Sequence, residues 1–356
     1  MPIKSLVINP GSTSTKIGVF EDDTMLFQET LRHTTEEIAA FATVADQKGF
    51  RKDIIHKFFE EKNIDIHSLN VIVGCGGLLK PIVGGTYAIN DRLIEDLEKA
   101  ERGQHASNLG GLIAKEIADV INVPAFIVDP VVVDELMPEA RLSGLPELPR
   151  VSIFHALNQK AIAKRYARET ERAYTDLRLI VVHLGGGVSV GAHENGRVVD
   201  VFNALDGDGA FSPERAGGLP TGALIRMCFS GQYTEKDMFK KIIGGGGLNA
   251  YLNCNSMQEV EKQVASGNAE WTLVREAFIL QISKDIGSMA CVLNGKVDQI
   301  LITGGIAYNK TVTDAIAERV GFIAPITVYP GEDELLALVQ GALRVLNGEE
   351  EAMIYD

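Results

Sequence analysis

The chain is short of positive charge. Its 34 lysines and arginines are outnumbered by 48 aspartates and glutamates, leaving a formal net charge of −14. Binding to a phosphate backbone rests on clustered cations, so this balance argues against nucleic-acid and anionic-membrane partners. A protein this acidic that binds a polyphosphate must gather its few cations locally or use Mg²⁺. No apolar run approaches the roughly 18 residues that a membrane span needs. Cysteine is scarce: Cys75, Cys228, Cys254 and Cys291 lie far apart and form no C-x-x-C pair. That spacing implies reduced thiols in a cytoplasm rather than a disulfide framework. Met1-Pro2-Ile3-Lys4 leads into an apolar run without the pattern of a signal peptide. What the chain does have is length and apolar content, 356 residues at 46% hydrophobic, enough for a large core and more consistent with two domains than one.

The most informative stretch is Ile8-Asn9-Pro10-Gly11-Ser12-Thr13-Ser14-Thr15-Lys16, set between apolar runs at 6–8 and 17–20. It reads as strand, small polar loop, strand. Unobstructed backbone N–H groups, the hydroxyls of Ser12, Thr13, Ser14 and Thr15, and the Lys16 ammonium are all donors suited to phosphate oxygens. It is not a Walker loop, which needs Gly-x-x-x-x-Gly-Lys-Ser/Thr opening a helix; here β-type residues follow the lysine.

The pattern recurs about 174 residues later. Residues 179–183, Gly185-Gly186-Gly187, residues 188–192, an Asn195-Gly196 turn and residues 198–201 repeat the order strand, loop, strand, turn, strand. In the first copy the turn falls in Glu21-Asp22-Asp23 and the third strand near 25–28. Asn-Gly between apolar runs is a strong hairpin signal. Two copies imply a duplicated architecture, each half opening with a phosphate-facing hairpin; two hairpins of independent origin are the alternative. A Gly-Gly-Gly run also suits a hairpin that needs positive φ and binds nothing.

Apolar runs at 71–73 and 299–303 stop at Gly74-Cys75-Gly76-Gly77 and Gly304-Gly305, as buried strands do where they deliver a loop to a ligand. Helical periodicity covers 53–62, 91–102, 109–121, 156–170, 271–293 and 334–346. Helices thus alternate with strands in a layered α/β fold. The piece from Met137-Pro138 to Pro146 and Pro149 lacks periodicity and marks a hinge, with a domain boundary near residue 150.

These motifs resemble the acetate and butyrate kinases. Residues 9–16 are similar to the N-terminal signature of that family, whose acetate branch reads Asn-Ala-Gly-Ser-Ser-Ser there. Gly-Gly-Leu-Leu-Lys-Pro at 76–81, Gly-Gln-His-Ala-Ser-Asn-Leu-Gly at 103–110, Val-Asp-Pro-Val-Val-Val-Asp-Glu at 128–135, Ser-Ile-Phe-His-Ala-Leu-Asn-Gln at 152–159 and Gly-Glu-Asp-Glu-Leu at 331–335 look like the butyrate branch. The resemblance spans the chain. It implies two related actin-like ATPase (ribonuclease H-like) domains, residues 1–150 with 331–356 and residues 151–330. ATP is then expected in an interdomain cleft, with loops 11–15 and 185–187 facing each other across it. The implied reaction is reversible phosphate transfer between ATP and a short-chain carboxylate, in a dimer or larger homo-oligomer.

The same resemblance carries over residue roles. Asn9, Gly11, Ser12, Ser14 and Lys16 become phosphate or metal contacts; His183, Gly185, Gly186 and Gly187 become the second clamp; Gly304, Gly305 and Ile306 become the adenosine loop. His155 matches a histidine beside the transferring phosphoryl, and His105 another active-site histidine. Asp129 and Glu334 match acidic groups near Mg²⁺, with Glu332 and Asp333 adjacent to the second. The acceptor is already anionic, its pKa about 4 to 5 like a Glu side chain, so no general base is needed and positioning and charge neutralisation remain. Asp129 is therefore assigned to Mg²⁺, directly or through water, rather than to proton abstraction. Asp206-Gly207-Asp208-Gly209 lacks the continuation of a calcium loop and reads as a turn.

Two departures stand out. Family members commonly read Gly-Arg-Gly-Gly where this chain has Gly74-Cys75-Gly76-Gly77. Lys80 or Arg32 then substitutes, or transition-state stabilisation is reduced. The acetate kinases carry an active-site arginine in the region equivalent to 216–221, where Arg215 is the nearest here. Val131, Val132 and Leu136 are candidates for an apolar acceptor pocket; the choice among butyrate, isobutyrate and isovalerate turns on single methylenes worth about 1–3 kcal/mol. An acetate- or propionate-preferring kinase, a sugar or polyol kinase with Asp129 as base, and a nucleotide switch without kinase activity are the alternatives. Closure about the hinge is expected, because water in the site would hydrolyse acyl phosphate or ATP.

Overall fold

The computed structural model describes residues 2–356. Contacts divide the chain into two units, Met1–Val133 with Asp333–Asp356, and Asp134–Glu332.

In the first unit, Ser5-Leu6-Val7-Ile8 is buried throughout and forms the middle of strand β1 (Lys4–Pro10). Continuous burial of this kind marks a central strand covered on both faces. β2 (Ser14–Glu21) and β3 (Thr24–Arg32) follow it antiparallel. β4 (Val71–Cys75), β5 (Thr86–Ala88) and β6 (Ala125–Val128) complete the order β3-β2-β1-β4-β6-β5, with β4 and β6 parallel to β1 and β5 antiparallel to β6. β3 is a largely exposed edge whose Glu29 and Arg32 discourage pairing with another chain. The helix Asn108–Ile121 meets β4 backbone to backbone: a Cβ on Gly74 would lie 2.3 Å from the Gly110 carbonyl oxygen. The helix Glu334–Leu346 packs on β1, β4 and β6 and buries Leu335, Leu338, Val339 and Ala342, spaced by the helical period.

The second unit has β7 (Leu179–Leu184), β8 (Val188–Glu194), β9 (Arg197–Val201), β10 (Gln299–Gly304) and β11 (Ile326–Pro330), in the order β11-β10-β7-β8-β9. β7 and β10 are buried along their whole length. The helices Ala156–Glu169 and Ala269–Val292 pack on this sheet. The Pro-rich piece belongs to this unit: Met137 N–H donates to the Val199 carbonyl, and Arg150 pairs with Asp200 at 2.8 Å and Asp208 at 3.1 Å.

The two sheets share one order: third, second and first hairpin strands, then two parallel strands. Even their irregularities match. The register shifts at Val19/Phe20 between β2 and β3 and at Ala192/His193 between β8 and β9, each time just before the hairpin turn. A bulge repeated at the same place belongs to a duplicated unit rather than to two unrelated hairpins.

All six periodic stretches are helical, with ends shifted by a few residues; the first starts at Lys48 rather than 53. The helices Thr221–Cys228, Glu235–Ile242, Gly247–Leu252, Met257–Ala265 and Lys310–Val320 were not foreseen. The first four are too short to show a clear period, and Gly244–Gly247 interrupts them. One local signal exists: Thr234 Oγ1 accepts from Asp237 N–H while the Asp237 carboxylate accepts from Thr234 N–H, a capping box. Among the described residues no helix is long and apolar enough to cross a membrane.

Candidate active site

The loop after β1 is held from behind by a residue that sequence reading does not single out. Arg51, on the helix Lys48–Glu61, is fully buried and directs its guanidinium at the loop. Its Nη1 donates to the carbonyls of Gly11 at 2.7 Å and Ser14 at 2.8 Å and to Thr15 Oγ1 at 3.2 Å; Nη2 donates to the Ser12 carbonyl at 3.0 Å and Gln47 Oε1 at 2.8 Å. A planar trans peptide whose carbonyl turns inward turns the next N–H outward. The N–H groups of Ser12 and Thr13 therefore face away from Arg51, on the exposed side of the loop. Burial lowers the Arg51 pKa to about 10, which leaves it charged at neutral pH. Among the described residues no carboxylate pairs with it, so a positive charge stands uncancelled beneath two outward N–H donors, an arrangement suited to an anion. Lys16 lies half-buried on β2 beside this loop.

Asn9, at the end of β1, donates through Nδ2 to Glu334 Oε2 at 2.6 Å, on the first turn of the helix Glu334–Leu346. Asp129 is buried with φ of 38°, and its Oδ1 accepts from Gly85 N–H at 2.8 Å. Positive φ is uncommon for a non-glycine residue, and aspartate is among the few that adopt it readily. His105 is exposed; its Nδ1 lies 3.2 Å from Ser107 N–H and 2.7 Å from Ser107 Oγ, so that nitrogen is the acceptor. Cys75 is buried at the end of β4, its Sγ 3.6 Å from the Ser107 carbonyl, and burial together with Glu334 pushes its thiol pKa up. It stands as a neutral, unreactive thiol. Lys80 is engaged by the Asp356 carbonyl and lies 4.8 Å over the Tyr355 ring, whereas Arg32 is exposed at the end of β3. The expected pocket residues Val132 and Leu136 are buried, and Val131 packs half-buried on the core of the first unit. They fill interior space because an apolar run leaving a central strand enters the core by default.

In the second unit β7 delivers His183 and then Gly185-Gly186-Gly187. His183 Nδ1 lies 2.8 Å from Asn158 Oδ1, and its Nε2 lies 3.1 Å from Glu332 Oε1. His155, at the start of the helix Ala156–Glu169, stacks on His183 with centroids 3.8 Å apart and planes within 11°. Its Nδ1 lies 2.9 Å from Ser189 Oγ. Arg215 donates through Nη1 to the Ala204 carbonyl at 2.6 Å, and its N–H donates to Ser212 Oγ, which in turn donates to the Gly186 carbonyl at 2.7 Å. Arg215 and His155 both stand over Gly187, where a Cβ would come 2.2 Å from Arg215 Nη1 and 3.1 Å from His155 Cε1. Glycine at 187 is thus a condition of their approach. Burial, then His183 and Arg215, hold the His155 pKa well below the ordinary histidine value, so the ring is neutral.

Gly304 and Gly331 exchange backbone hydrogen bonds of 3.1 and 3.0 Å. Gly305 and Ile306 line an open groove of about 510 Å³ with Met257, Tyr308, Asn309 and Lys310, a volume in the range of small-molecule sites. The acidic neighbours at 332–334 divide their work: Glu332 faces His183, Asp333 accepts at its carbonyl from Ala337 N–H to open the last helix, and Glu334 engages Asn9. Asp208 is taken by Arg150 and Asn203 N–H.

A duplicated sheet with a donor-lined loop after the first strand of each copy is the arrangement of the actin-like ATPase fold. The solved acetate kinase of Porphyromonas gingivalis shares it, with a TM-score of 0.79 over 97% of this chain and 100% of that one at 18% identity. Residues 148–327 match the Acetokinase family. A probable butyrate kinase of Clostridium botulinum (strain Alaska E43 / Type E3) is 62% identical, and butyrate kinase 2 of Clostridium acetobutylicum 59% identical, each over 100% of both chains. The chain belongs to the acetokinase family. Membership makes it a phosphotransferase that uses ATP and ADP.

Proposed function

We propose that the chain is a butyrate kinase, transferring the γ-phosphoryl of ATP reversibly and in line to a short-chain carboxylate, butyrate foremost, to give an acyl phosphate and ADP. The observation that carries this reading is the set over Gly187: a neutral imidazole stacked on a second ring, beside a guanidinium. A guanidinium and a histidine held well below its ordinary pKa are poor bases, so these groups are suited to donate and neutralise rather than to remove a proton. An acceptor that is already anionic needs nothing more, whereas a sugar hydroxyl needs a base.

The loop at 11–15, with Arg51 beneath it and Lys16 beside it, receives phosphate oxygens in this reading, as do the N–H groups of Gly186 and Gly187; the Gly185 N–H is spent on the Gly187 carbonyl at 2.9 Å, which closes the loop. His155 and Arg215 face the phosphoryl in transfer, His105 assists at the acceptor, and the groove at Gly305 and Ile306 takes adenosine. Mg²⁺ fits Asp129, Glu334 and Asn9. Asn9 commits Nδ2 to Glu334, which leaves Oδ1 as a hard oxygen donor. That sparse set suits an ion that keeps most of its waters. When bound, Mg²⁺ neutralises charge on the β- and γ-phosphate oxygens. The reading places the enzyme in the cytoplasm as a homo-oligomer, the latter checked by light scattering.

A hydroxamate assay with ATP, Mg²⁺ and the acids from acetate to hexanoate tests the proposal. Butyrate should exceed acetate in kcat/KM by about tenfold or more, since two methylenes are at stake. Failure to form acyl phosphate from any acid, with ATP still bound, would return the chain to the nucleotide-switch class. Phosphorylation of a sugar instead would assign Asp129 as a base.

A further inference from the structure

His155 has two ring nitrogens, and a neutral ring carries a proton on only one. We propose that a buried chain of side chains, Tyr174, His193, Gln159 and Ser189, fixes that proton on Nε2, so that His155 meets the phosphoryl as a donor. This rests on the role given to His155 above.

The chain can be oriented because one member has no choice. The Ser189 backbone carbonyl only accepts, and Gln159 Nε2 lies 3.2 Å from it and 2.8 Å from Ser189 Oγ. The amide NH₂ of Gln159 therefore faces Ser189, and Oε1 faces the other way. There Oε1, also an acceptor only, meets His193 Nε2 at 3.0 Å. His193 thus carries its proton on Nε2, and its Nδ1 accepts from the Tyr174 hydroxyl at 2.7 Å. In the other direction, Ser189 Oγ already accepts from Gln159. Among the described residues the one acceptor for its own proton is His155 Nδ1, 2.9 Å away. A buried hydroxyl left without an acceptor would cost about 1–3 kcal/mol. Nδ1 of His155 therefore accepts, and the proton sits on Nε2.

Placement and burial support the order. Gln159 lies one helical turn after His155, and Ser189 and His193 share a face of β8. Gln159, Ser189 and His193 are all at most 1% exposed, so water does not reassign their bonds. Both rings are neutral: His155 for the reasons given, and His193 because burial and the nearby Lys160 ammonium hold its pKa well below the ordinary value. Lys160 is itself fixed by Glu135 at 2.9 Å in a buried pair. An Nε2 lone pair would repel phosphoryl oxygens; an Nε2–H stabilises the charge that grows on them.

Long-range ¹H–¹⁵N spectra of the labelled enzyme near neutral pH report which nitrogen of each ring is protonated, with His155→Gln supplying the assignment. His155 should appear as the Nε2–H form; the Nδ1–H form in the wild-type enzyme overturns the proposal. In Gln159→Glu the new carboxylate only accepts, draws the Ser189 proton to itself and turns a lone pair toward Nδ1. His155 should then move to Nδ1–H, with kcat down about 100-fold and KM for ATP changed by less than about threefold. A His155 that stays Nε2–H in Gln159→Glu, at a pH where the ¹³C shift shows the new carboxyl ionised, also overturns the proposal. A tautomer that moves while kcat stays constant supports the chain but removes His155 from phosphoryl transfer, which separates the two readings.

Discussion

In the first unit the loop after the leading strand is shaped from behind by one buried cation, Arg51, and its donors turn outward as a consequence. In the second unit the corresponding loop is made of glycines, and the charged and aromatic groups, His155, His183 and Arg215, stand beside it in the space those glycines leave. The scaffolds are copies down to a shared bulge. A second correspondence shows where they diverged. The penultimate residue of the leading strand bonds the first turn of a covering helix in both: Asn9 to Glu334, and His183 to Asn158. One copy ended with an amide and a carboxylate suited to a hard cation, the other with stacked imidazoles suited to an anionic group in transit. In the proposed reading, duplication supplied two frames, and side chains at the strand ends divided holding from reacting.

Arg51→Met breaks the first half most severely. It leaves the Gly11 and Ser12 carbonyls without their donor, Ser14 keeping the Gly11 N–H, and removes the buried charge. ATP binding measured by calorimetry should weaken at least about 100-fold, with a stability loss of about 1–3 kcal/mol for each carbonyl left unpaired read from denaturant unfolding. Arg51→Lys should recover only part, since an ammonium cannot span the acceptors that a planar fork reaches.

Gly187→Ala attacks the second half, pushing Arg215 and His155 off the loop, and should lower kcat about 100-fold with a modest change in ATP affinity. Gly186→Ala, whose Cβ would meet nothing closer than 3.7 Å, should cost much less in the same assay.

A third prediction concerns pH. His33, His155 and His193 all have folded pKa values below the ordinary histidine value, chiefly through burial. Above that value they are neutral folded or unfolded and contribute no pH dependence. Below it the unfolded chain takes up protons that the folded chain refuses, so stability falls as pH drops, by up to about 1.4 kcal/mol per pH unit for each ring. Asp285, which burial pushes up to about 7, works in the opposite sense over the same range, so the clean test is Asp285→Asn: its thermal melts should shift downward between about pH 7 and pH 5.5, and an unchanged Tm contradicts the burial argument. The smallest effect is expected from Cys75→Arg, which brings a guanidinium near Glu334 and should raise kcat/KM by about threefold. No change would show that another cation already fills that role.

What was legible in the sequence was local. The hairpins announced themselves through Asn195-Gly196 and the glycine-bearing loops, and the covering helices through their period, because both patterns repeat within a few residues. His155, Asp129 and Glu334 stood out through motif context, and the structure assigns each a position at a strand or helix end. Arg51 was not legible: on its helix it looks like any surface arginine, and its meaning lies in carbonyls that are 37 to 40 residues away. Gln159 and Ser189 were invisible for the same reason, their bonds joining a helix to a strand 30 residues on. Val132 and Leu136 were offered to a pocket; both are buried, Val132 within the core of the first unit.

The division into a holding half and a reacting half is tested most directly by acyl phosphate formation in His155→Gln at varied ATP and saturating butyrate. The account predicts kcat lower by about 100-fold or more with KM for ATP within about threefold of wild type. A wild-type kcat, or a loss that appears only as weaker ATP binding, would contradict it.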